Sequence, residues 1–302
     1  MSSESNVLTA FSDQMVQAVE KAGESTVLVN GRRRIPASGI AYASDLILTA
    51  DHVVERDEDL SVMLADGTSI SVTIAGRDPG NDLALLRLEK PGVKPAEKAS
   101  REARVGEVVL ALGRPSQEGI EASFGIISAI GGPVRTFSGG LLERYLRTDV
   151  IPFPGFSGGP LIDTEGRVVG LNTSGLAHGA SITIPAALAW LDAENLAKYG
   201  YVKRGYLGIR SQSVALSSDL RKALGREQEH GLLLVSVETG SPAEAGGLIV
   251  GDILVGIEGQ AVADHDQLMT YLTGGAVGKP TSVQVLRGGQ PLSVTVTIGE
   301  RK

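Results

Sequence analysis

Apolar residues recur along this chain with two different periods, and the change between them marks its organisation. Near the N-terminus they fall at helical spacing, so they share one side of a predicted helix that ends at about Ala22. Those residues are Val7, Leu8, Phe11, Met15, Val16 and Val19. From residue 25 the pattern changes to short apolar runs separated by turn residues, as is typical of an all-β barrel. The six runs are 25–29, 39–42, 46–48, 60–64, 70–74 and 83–88.

A second set of short apolar runs follows a polar linker at 89–107 and predicts a second barrel. Its runs are 108–112, 122–130, 141–148, 159–162, 168–172 and 181–184. A helix is predicted over 186–199. From Gly205 the composition changes again, and the pattern predicts strands and helices in alternation. It predicts helices at 214–224 and 264–272, a strand at 232–237 and a hairpin turning at 287–290.

A length of 302 residues suits two or three packed units rather than one small core. The pattern predicts an N-terminal helical segment at 1–24, a double barrel at 25–200 and an α+β domain at 205–302. The net charge of −7 and the lack of a basic run give no electrostatic footprint for nucleic acid or an anionic membrane. The chain has no cysteine, which excludes disulfides, thiolate metal sites and a cysteine nucleophile.

The N-terminus lacks the positive and apolar regions of a signal peptide, and no apolar run approaches the roughly 18–20 residues that span a bilayer. The sequence as it stands therefore predicts a cytoplasmic protein without a membrane span. A periplasmic or other extracytoplasmic location is the alternative if the sequence is trimmed.

The candidate chemistry centres on Ser157, which lies in a Gly-x-Ser-Gly-Gly-Pro segment between two predicted strands. Such a segment lets the backbone fold tightly around one hydroxyl, although glycine–serine pairs also occur in ordinary turns. Upstream, His52 ends one apolar strand and Asp82 begins another. The order His, Asp, Ser is that of the chymotrypsin-type triad.

The segments around these three residues resemble the trypsin-like proteases of the HtrA (Deg) group. They read Leu-Thr-Ala-x-His-Val-Val, Asp-Leu-Ala-x-Leu-Arg-Leu and Gly-x-Ser-Gly-Gly-Pro-Leu. The C-terminal region, with Gly-Ser-Pro-Ala-x-x-Ala-Gly and Gly-Asp-x-Leu, is similar to a PDZ domain of the HtrA arrangement. The resemblance implies a mainly β protein, a chymotrypsin-like double β-barrel followed by an α+β PDZ domain.

The resemblance also implies the catalytic roles. Ser157 is the nucleophile, and His52 is its base because imidazole exchanges a proton near neutral pH. Family position assigns the orienting carboxylate to Asp82, and matches the oxyanion hole to the N–H groups of Gly155 and Ser157. No metal site or organic cofactor is implied. His178, His230 and His265 lack metal-ligand spacing and are predicted to be surface or structural residues.

The specificity pocket is expected at Ile151, Thr173 and Ser174, from the segments before the serine and after it. Because Ile151 is apolar, a small or medium aliphatic residue is expected at the cleaved position. Three residues depart from the family pattern: Asp51, Phe153 and Phe156. The two aromatic side chains could reshape the oxyanion loop, and Asp51 could raise the pKa of His52 if its carboxylate points inward.

The PDZ-like region is predicted to bind C-terminal peptides. Glycine at 208 lets successive N–H groups converge on a carboxylate, and the strand that follows offers an edge for an extended peptide. The binding residues are expected to be Tyr206, Leu207, Gly208, Ile209, Leu268, Met269 and Leu272. This apolar set predicts a hydrophobic C-terminal residue in the bound peptide.

The sequence thus predicts a serine endopeptidase that cleaves unfolded or flexible polypeptides in protein quality control. Two alternatives are a proteolytically silent chaperone that holds unfolded chains, and a peptide-binding scaffold whose barrels are structural. The resemblance further implies a homo-oligomer, a trimer, with Phe11 as a candidate contact. The alternative for the N-terminal helix is that it packs on its own barrel.

Overall fold

The N-terminal apolar period forms a helix, as predicted. In this computed structural model, which describes residues 6–136, 140–176, 182–272 and 274–301, helix α1 spans Val7–Gly23. The Asn6 side chain caps its first turn by accepting a hydrogen bond from the Leu8 N–H at 3.0 Å. The contacts within the chain divide it into two units, Met1–Val202 and Lys203–Lys302.

Six antiparallel strands form the first barrel, one for each predicted apolar run. They are β1 (Thr26–Asn30), β2 (Ala37–Ala43), β3 (Leu46–Thr49), β4 (Leu60–Met63), β5 (Ser69–Asp78) and β6 (Leu83–Leu88). Their order is β1-β2-β3-β6-β5-β4, and the barrel closes because β1 also pairs with β4. The side chains of Val27, Ile47 and Leu86 are buried together in its interior.

The second barrel has six strands as well, and a short hairpin accompanies it. Its strands are β7 (Val108–Ser116), β8 (Gly119–Gly131), β11 (Tyr145–Thr148), β12 (Pro160–Ile162), β13 (Val168–Thr173) and β14 (Ile182–Pro185), and the hairpin is β9 (Val134–Arg135) with β10 (Leu141–Leu142). The barrel order is β11-β14-β13-β12-β7-β8. The mainly β double-barrel architecture that the resemblance implied is therefore correct.

The prediction of one strand over 141–148 is wrong. Leu141 and Leu142 pair with the hairpin strand β9, whereas β11 pairs with β8 and β14. Residues 143–144 interrupt the predicted strand opposite Gly132 and Pro133, where the Glu143 carbonyl passes close to Gly132. Ser181, at the start of the last predicted run, lies outside the described residues.

The two barrels, α1 and a second helix share one apolar core. Helix α2 spans Ala186–Tyr199, as predicted, and ends at Gly200 with a φ of 81°. The core includes Leu48 from the first barrel, Leu112 from the second and Met15 from α1. One side of α1 therefore packs on its own unit.

The second unit is an α+β sheet domain. Its elements are β15 (Arg204–Tyr206), β16 (Ile209–Ala215), α3 (Ser218–Leu224), β17 (His230–Val237), α4 (Pro242–Ala245), β18 (Ile253–Ile257), β19 (Gln260–Ala261), α5 (His265–Tyr271), β20 (Pro280–Arg287), β21 (Gln290–Thr297) and β22 (Gly299–Arg301). The main sheet has the order β16-β17-β18-β20-β21, which leaves β16 at an edge, and β15 pairs with β22. The predicted hairpin at 287–290 joins β20 to β21.

The prediction of a helix over 214–224 is wrong at its start. Val214 and Ala215 end strand β16, opposite Gly231 and His230. The helix begins only after Ser217, whose side chain accepts a hydrogen bond from the Leu220 N–H and caps the first turn. Across the residues that the structure describes, no helix combines the length and apolar character needed to cross a membrane.

Candidate active site

Two paired strands bring His52 and Asp82 together. His52 lies in a single turn of 3-10 helix, Asp51–Val53, which follows β3, and Asp82 immediately precedes β6. In the β3–β6 pair Thr49 is opposite Ala84, so the end of one strand adjoins the start of the other. Asp82 has a φ of 55°, in the left-handed region that residues other than glycine seldom adopt.

The Asp82 carboxylate is buried and hydrogen-bonds both the ring and the backbone N–H of His52. His52 Nδ1 lies 2.8 Å from Oδ2 and 3.1 Å from Oδ1, and the His52 backbone N–H donates to Oδ1 at 2.8 Å. A third donor is the Thr173 hydroxyl, which hydrogen-bonds Oδ2. These contacts place the proton on Nδ1, so Nε2 is left unprotonated as the nitrogen that can act as a base.

The segment Thr173 to Gly175 covers the His52–Asp82 pair. The sequence analysis placed Thr173 in a specificity pocket, but its hydroxyl is buried and faces Asp82. The Gly175 N–H in turn donates to Thr173 Oγ1 at 2.9 Å. A Cβ at Gly175 would lie 2.5 Å from Asp82 Oδ2 and 2.6 Å from His52 Nδ1. Only glycine fits at this position. The sequence did not indicate a role for Gly175, because this glycine belongs to no recognisable motif.

The Ser157 hydroxyl lies beside Ser174 in this structure. The two Oγ atoms are 3.2 Å apart, and within the described residues Ser157 makes no hydrogen bond to His52. Ser174 is exposed and lies between Thr173, which hydrogen-bonds Asp82, and Gly175, which is close to Asp82 and His52. The structure therefore pairs His52 with Asp82 directly and places Ser157 next to the segment that covers them.

The backbone around Ser157, residues 153–159, is called here the nucleophile loop. Its first turn is closed by the Phe156 N–H, which donates to the Phe153 carbonyl at 3.1 Å. Gly155 has a φ of 90°, as the third position of such a turn requires. Among the described residues, the N–H groups of Gly155 and Ser157 have no acceptor. Both are therefore unpaired donors in the described part of the chain.

In the second unit, the candidate peptide-binding loop joins β15 to β16. Gly208 has a φ of 80°, and a Cβ there would lie 2.2 Å from the Ser241 Cβ. The Gly208 carbonyl accepts a hydrogen bond from the Glu238 N–H at 2.8 Å, whereas the N–H groups of Leu207 and Gly208 donate to no acceptor in the described part of the chain. Tyr206 donates its hydroxyl proton to the Glu238 carboxylate.

The apolar residues predicted to bind a peptide side chain lie together. Leu207, Leu268 and Leu272 are buried in the core of the second unit, and Ile209 and Met269 are partly buried against them. His265, predicted to be a surface or structural residue, joins α5 to the edge strand because its Nε2 lies 2.9 Å from Ser211 Oγ.

Comparisons with known proteins give the same two-part organisation. A model of the trypsin-like peptidase domain matches residues 37–171, and a model of the PDZ domain matches residues 205–298. The HtrA-type protease AlgW, solved with a tripeptide, superposes with a TM-score of 0.77 at 30% sequence identity, covering 95% of this chain and 97% of that one. This chain belongs to the HtrA family of serine proteases with a PDZ domain.

Curated HtrA-type relatives are similar over most of this chain. A probable periplasmic DegP-like serine endoprotease of Halomonas elongata is 33% identical over 297 residues, which is 96% of this chain and 60% of the relative. The periplasmic pH-dependent serine endoprotease DegQ of Escherichia coli is 31% identical over 293 residues, 95% of this chain and 61% of the relative. The chain thus spans about three fifths of the length of the curated relatives it matches.

The aromatic departures from the HtrA pattern contribute to packing. The Phe156 ring is buried in the core of the second barrel against Gly113, where a Cβ would come within 2.4 Å of the ring. Phe153 is 40% exposed and meets the Phe156 ring edge-on, with centroids 5.4 Å apart. The bulk of Phe156 is therefore directed into the barrel, where it anchors the nucleophile loop.

The third departure from the HtrA pattern, Asp51, is neutralised by a partner. Arg77 Nε donates to Asp51 Oδ1 at 2.6 Å, and Arg77 Nη2 donates to the Val54 carbonyl at 3.0 Å. The hydrogen bond with Asp51 is the main reason that the pKa of Arg77 is raised above its usual value. The Asp51 carboxylate is thus directed at a guanidinium, and the inward orientation considered from the sequence is not adopted.

The expected specificity segment is only partly described. Ile151 is 61% exposed, and its N–H donates to Ser123 Oγ at 2.8 Å. Ser174 is exposed beside the nucleophile, as described above. The segment 177–181, which includes His178, lies outside the described residues.

We predict that Gly175→Ala disrupts the hydrogen bond between His52 and Asp82. The added methyl group would overlap both side chains, so the pair or the covering segment must move. Proton NMR of the full chain with ¹⁵N-labelled histidine should show a downfield Nδ1 proton for His52 in the wild type, and its loss in the variant.

Gly23→Ala is the matched control, because its added methyl group has only ordinary contacts with Ile120, the nearest at 3.8 Å. This control should keep the wild-type Nδ1 signal. An unchanged signal in Gly175→Ala would contradict the prediction.

Proposed function

We propose that this chain is a serine endopeptidase that cleaves unfolded or flexible polypeptides in protein quality control. The observation that carries the proposal is the buried Asp82 carboxylate holding His52 Nδ1, next to a serine loop with two free N–H groups. The relatives named as serine endoproteases support it. We assign the two activities to a protease domain at 25–200 and a peptide-binding PDZ domain at 205–302, after a helical segment at 1–24.

Catalysis would follow the triad mechanism. Ser157 Oγ turns from Ser174 toward His52 Nε2, gives up its proton to that nitrogen and attacks the peptide carbonyl carbon. The negative charge that forms on the carbonyl oxygen is stabilised by the N–H groups of Gly155 and Ser157. His52 then protonates the leaving amine, and water hydrolyses the acyl-enzyme with His52 again as base. Asp82 stabilises the imidazolium at each step.

For the residue at the cleaved position we propose a small or medium aliphatic side chain. Ile151 and Ser174 are the side chains that support this, since neither carries a charge that could pair with Lys or Arg. Thr173 contributes through its backbone, because its hydroxyl is bound to Asp82.

We propose a periplasmic or other extracytoplasmic location. The names of the relatives support that compartment, and they give no support to the cytoplasmic location expected from the sequence as it stands.

A second candidate function is a proteolytically silent chaperone or scaffold. The observation that favours it is the Ser157–Ser174 contact, in which the hydroxyl is 3.2 Å from another serine and unpaired with the base. A chain locked in this arrangement would bind unfolded polypeptides without cleaving them.

Ser157→Ala or His52→Ala should lower hydrolysis of casein by about 10⁴-fold or more, because each variant removes a member of the triad. Labelling by a fluorophosphonate probe should be lost in Ser157→Ala. Ser71→Ala, at an exposed position on β5, is the matched control and should keep full activity.

Wild-type protein that neither hydrolyses casein nor reacts with the probe, but suppresses aggregation of an unfolded protein, would favour the chaperone function. Casein turnover that persists in Ser157→Ala would refute the protease assignment.

We further propose that the PDZ domain binds peptides by a C-terminal carboxylate and an apolar last side chain. The free N–H groups of Leu207 and Gly208 support carboxylate binding, and the edge position of β16 supports strand addition. Calorimetry should detect peptides ending in Val, Leu or Phe, and their C-terminal amides should bind about tenfold or more weakly.

Gly208→Val should abolish this binding, because the left-handed φ and the contact with Ser241 exclude a side chain. Val250→Ala, at a 60% exposed position, should bind normally. Equal affinity for acid and amide peptides would exclude carboxylate binding.

We also propose a homotrimer. Apolar side chains on α1 and β8 remain exposed in the single chain, which is typical of a protein interface. They are Val7, Leu8, Phe11, Val16, Phe124 and Ile126. Within the chain, Phe11 and Phe124 already meet edge-on with centroids 6.0 Å apart, so the two elements form one surface.

The double substitution Leu8→Asp and Phe11→Asp should convert the oligomer to a monomer, as measured by light scattering at micromolar concentration. It leaves Met15, the buried anchor of α1, in place. Gln17→Asp adds a charge at an exposed position of the same helix and should leave the oligomer intact. A wild-type monomer at that concentration would exclude the trimer.

A further inference from the structure

Ser38 hydrogen-bonds the nucleophile loop through two of its polar groups, although it belongs to none of the motifs described above. It is fully buried on β2 of the first barrel. Its N–H donates to the Ser157 carbonyl at 3.1 Å, and its Oγ donates to the Gly155 carbonyl at 2.7 Å. The same Oγ accepts the Arg114 N–H at 2.8 Å, and the Ser38 carbonyl accepts the Thr49 hydroxyl at 2.7 Å.

The direction of the Ser38 hydroxyl is set by its neighbours. Arg114 belongs to strand β7, so its N–H is held by the second barrel and occupies a lone pair of Ser38 Oγ. The hydroxyl proton is then directed at the Gly155 carbonyl. One side chain therefore ties the nucleophile loop to both barrels.

Gly155 is the residue of the loop that most needs such a restraint. As a glycine with a φ of 90°, it has no side chain of its own to restrict rotation of the adjoining peptide groups. The hydrogen bond from Ser38 fixes the peptide between Gly155 and Phe156. The turn hydrogen bond from the Phe156 N–H to the Phe153 carbonyl spans the preceding peptide, which carries the Gly155 N–H, so the two hydrogen bonds together restrain that group.

The backbone of β2 around Ser38 is closely packed against the nucleophile loop. A Cβ at Gly158 would lie 2.2 Å from the Ser38 carbonyl oxygen, and a Cβ at Gly159 would lie 3.1 Å from the Ser38 Cβ. On the other side, a Cβ at Gly155 would lie 2.8 Å from the Pro36 carbonyl oxygen. If the hydroxyl is removed, the Gly155 carbonyl loses its hydrogen-bond donor and the Arg114 N–H loses its acceptor.

We propose that Ser38 is a positioning residue that holds the Gly155 N–H in the oxyanion hole. This inference rests on the protease function proposed above. It concerns the transition state, because the oxyanion forms only after Ser157 attacks, and ground-state peptide binding does not use it.

The test is Ser38→Ala in the full chain, assayed with a peptide substrate and a peptide boronic acid. The boronic acid bonds to Ser157 and presents a tetrahedral oxygen to the oxyanion hole. Losing an oxyanion donor outright lowers the rate by roughly 10²–10³, so loss of its anchor should lower kcat by about 10- to 100-fold. KM should stay within about twofold, and affinity for the boronic acid should fall by the same factor as kcat.

Two further variants separate positioning from stability. Ser25→Ala also removes a buried hydroxyl that donates to a carbonyl, that of Ala22 at 3.0 Å, and should keep the wild-type kcat. Ser38→Cys retains a weaker donor and should give an intermediate kcat. If Ser38→Ala does not fold, the kcat of Ser38→Cys is compared with that of the wild type. A lower kcat in Ser38→Cys supports the positioning role, and an unchanged kcat overturns it.

The outcomes distinguish this inference from the function on which it rests. Wild-type protein without turnover or labelling at Ser157 would refute the protease function itself. Active wild type with unchanged kcat and boronic acid affinity in Ser38→Ala would overturn only the role of Ser38. An equal loss of activity in Ser25→Ala would also overturn it, because the effect would then follow stability.

Discussion

The arrangement of the site depends on the burial of one carboxylate. A buried charge is tolerated only when donors surround it, and Asp82 receives donors from both barrels: His52 from the first and Thr173 from the second. The carboxylate therefore stabilises the contact between the barrels as well as the orientation of the imidazole. Asp82 makes these contacts from a left-handed conformation, with a φ of 55°, which residues other than glycine seldom adopt.

The nucleophile loop, in contrast, is held by close packing of its backbone at three glycines. Gly155, Gly158 and Gly159 each lie where a Cβ would overlap backbone or side-chain atoms of the neighbouring strands. The loop can approach β2 that closely only because these positions are glycine. Phe156 supplies the apolar anchor, with its ring against Gly113 in the barrel core. The packing of the Phe156 ring in the core therefore also fixes the position of the loop. Because this ring is directed into the barrel, a bulky residue next to Ser157 does not obstruct the serine.

Charge near the base is also controlled by tertiary contacts. Asp51 adjoins His52 in the chain, and an unpaired carboxylate there would favour the imidazolium. Arg77, from strand β5, hydrogen-bonds the Asp51 carboxylate at 2.6 Å. The fold of the first barrel therefore places a positive charge, that of Arg77, against Asp51, the second carboxylate near His52.

Local sequence determined most of the elements and the type of chemistry. Apolar runs and the turn residues between them predicted all six strands of the first barrel, because a strand buries one side of itself wherever it packs. The bounds predicted for α2 were also correct. The motifs around His52 and Ser157 indicated the chemistry for a similar reason: they specify strand ends and a glycine turn. These signals act over a few residues, and the sequence displays them directly.

Contacts between distant residues were decided by the tertiary structure. The Arg77–Asp51 pair and the Thr173 hydroxyl on Asp82 each join segments whose local patterns carry no trace of the other. The role of Ser38 was also decided by the tertiary structure. In the sequence Ser38 is one polar residue in an apolar strand, and only the fold places its hydroxyl against the Gly155 carbonyl. Which polar group satisfies a buried partner depends on how two barrels meet, and that geometry exists only once both have folded.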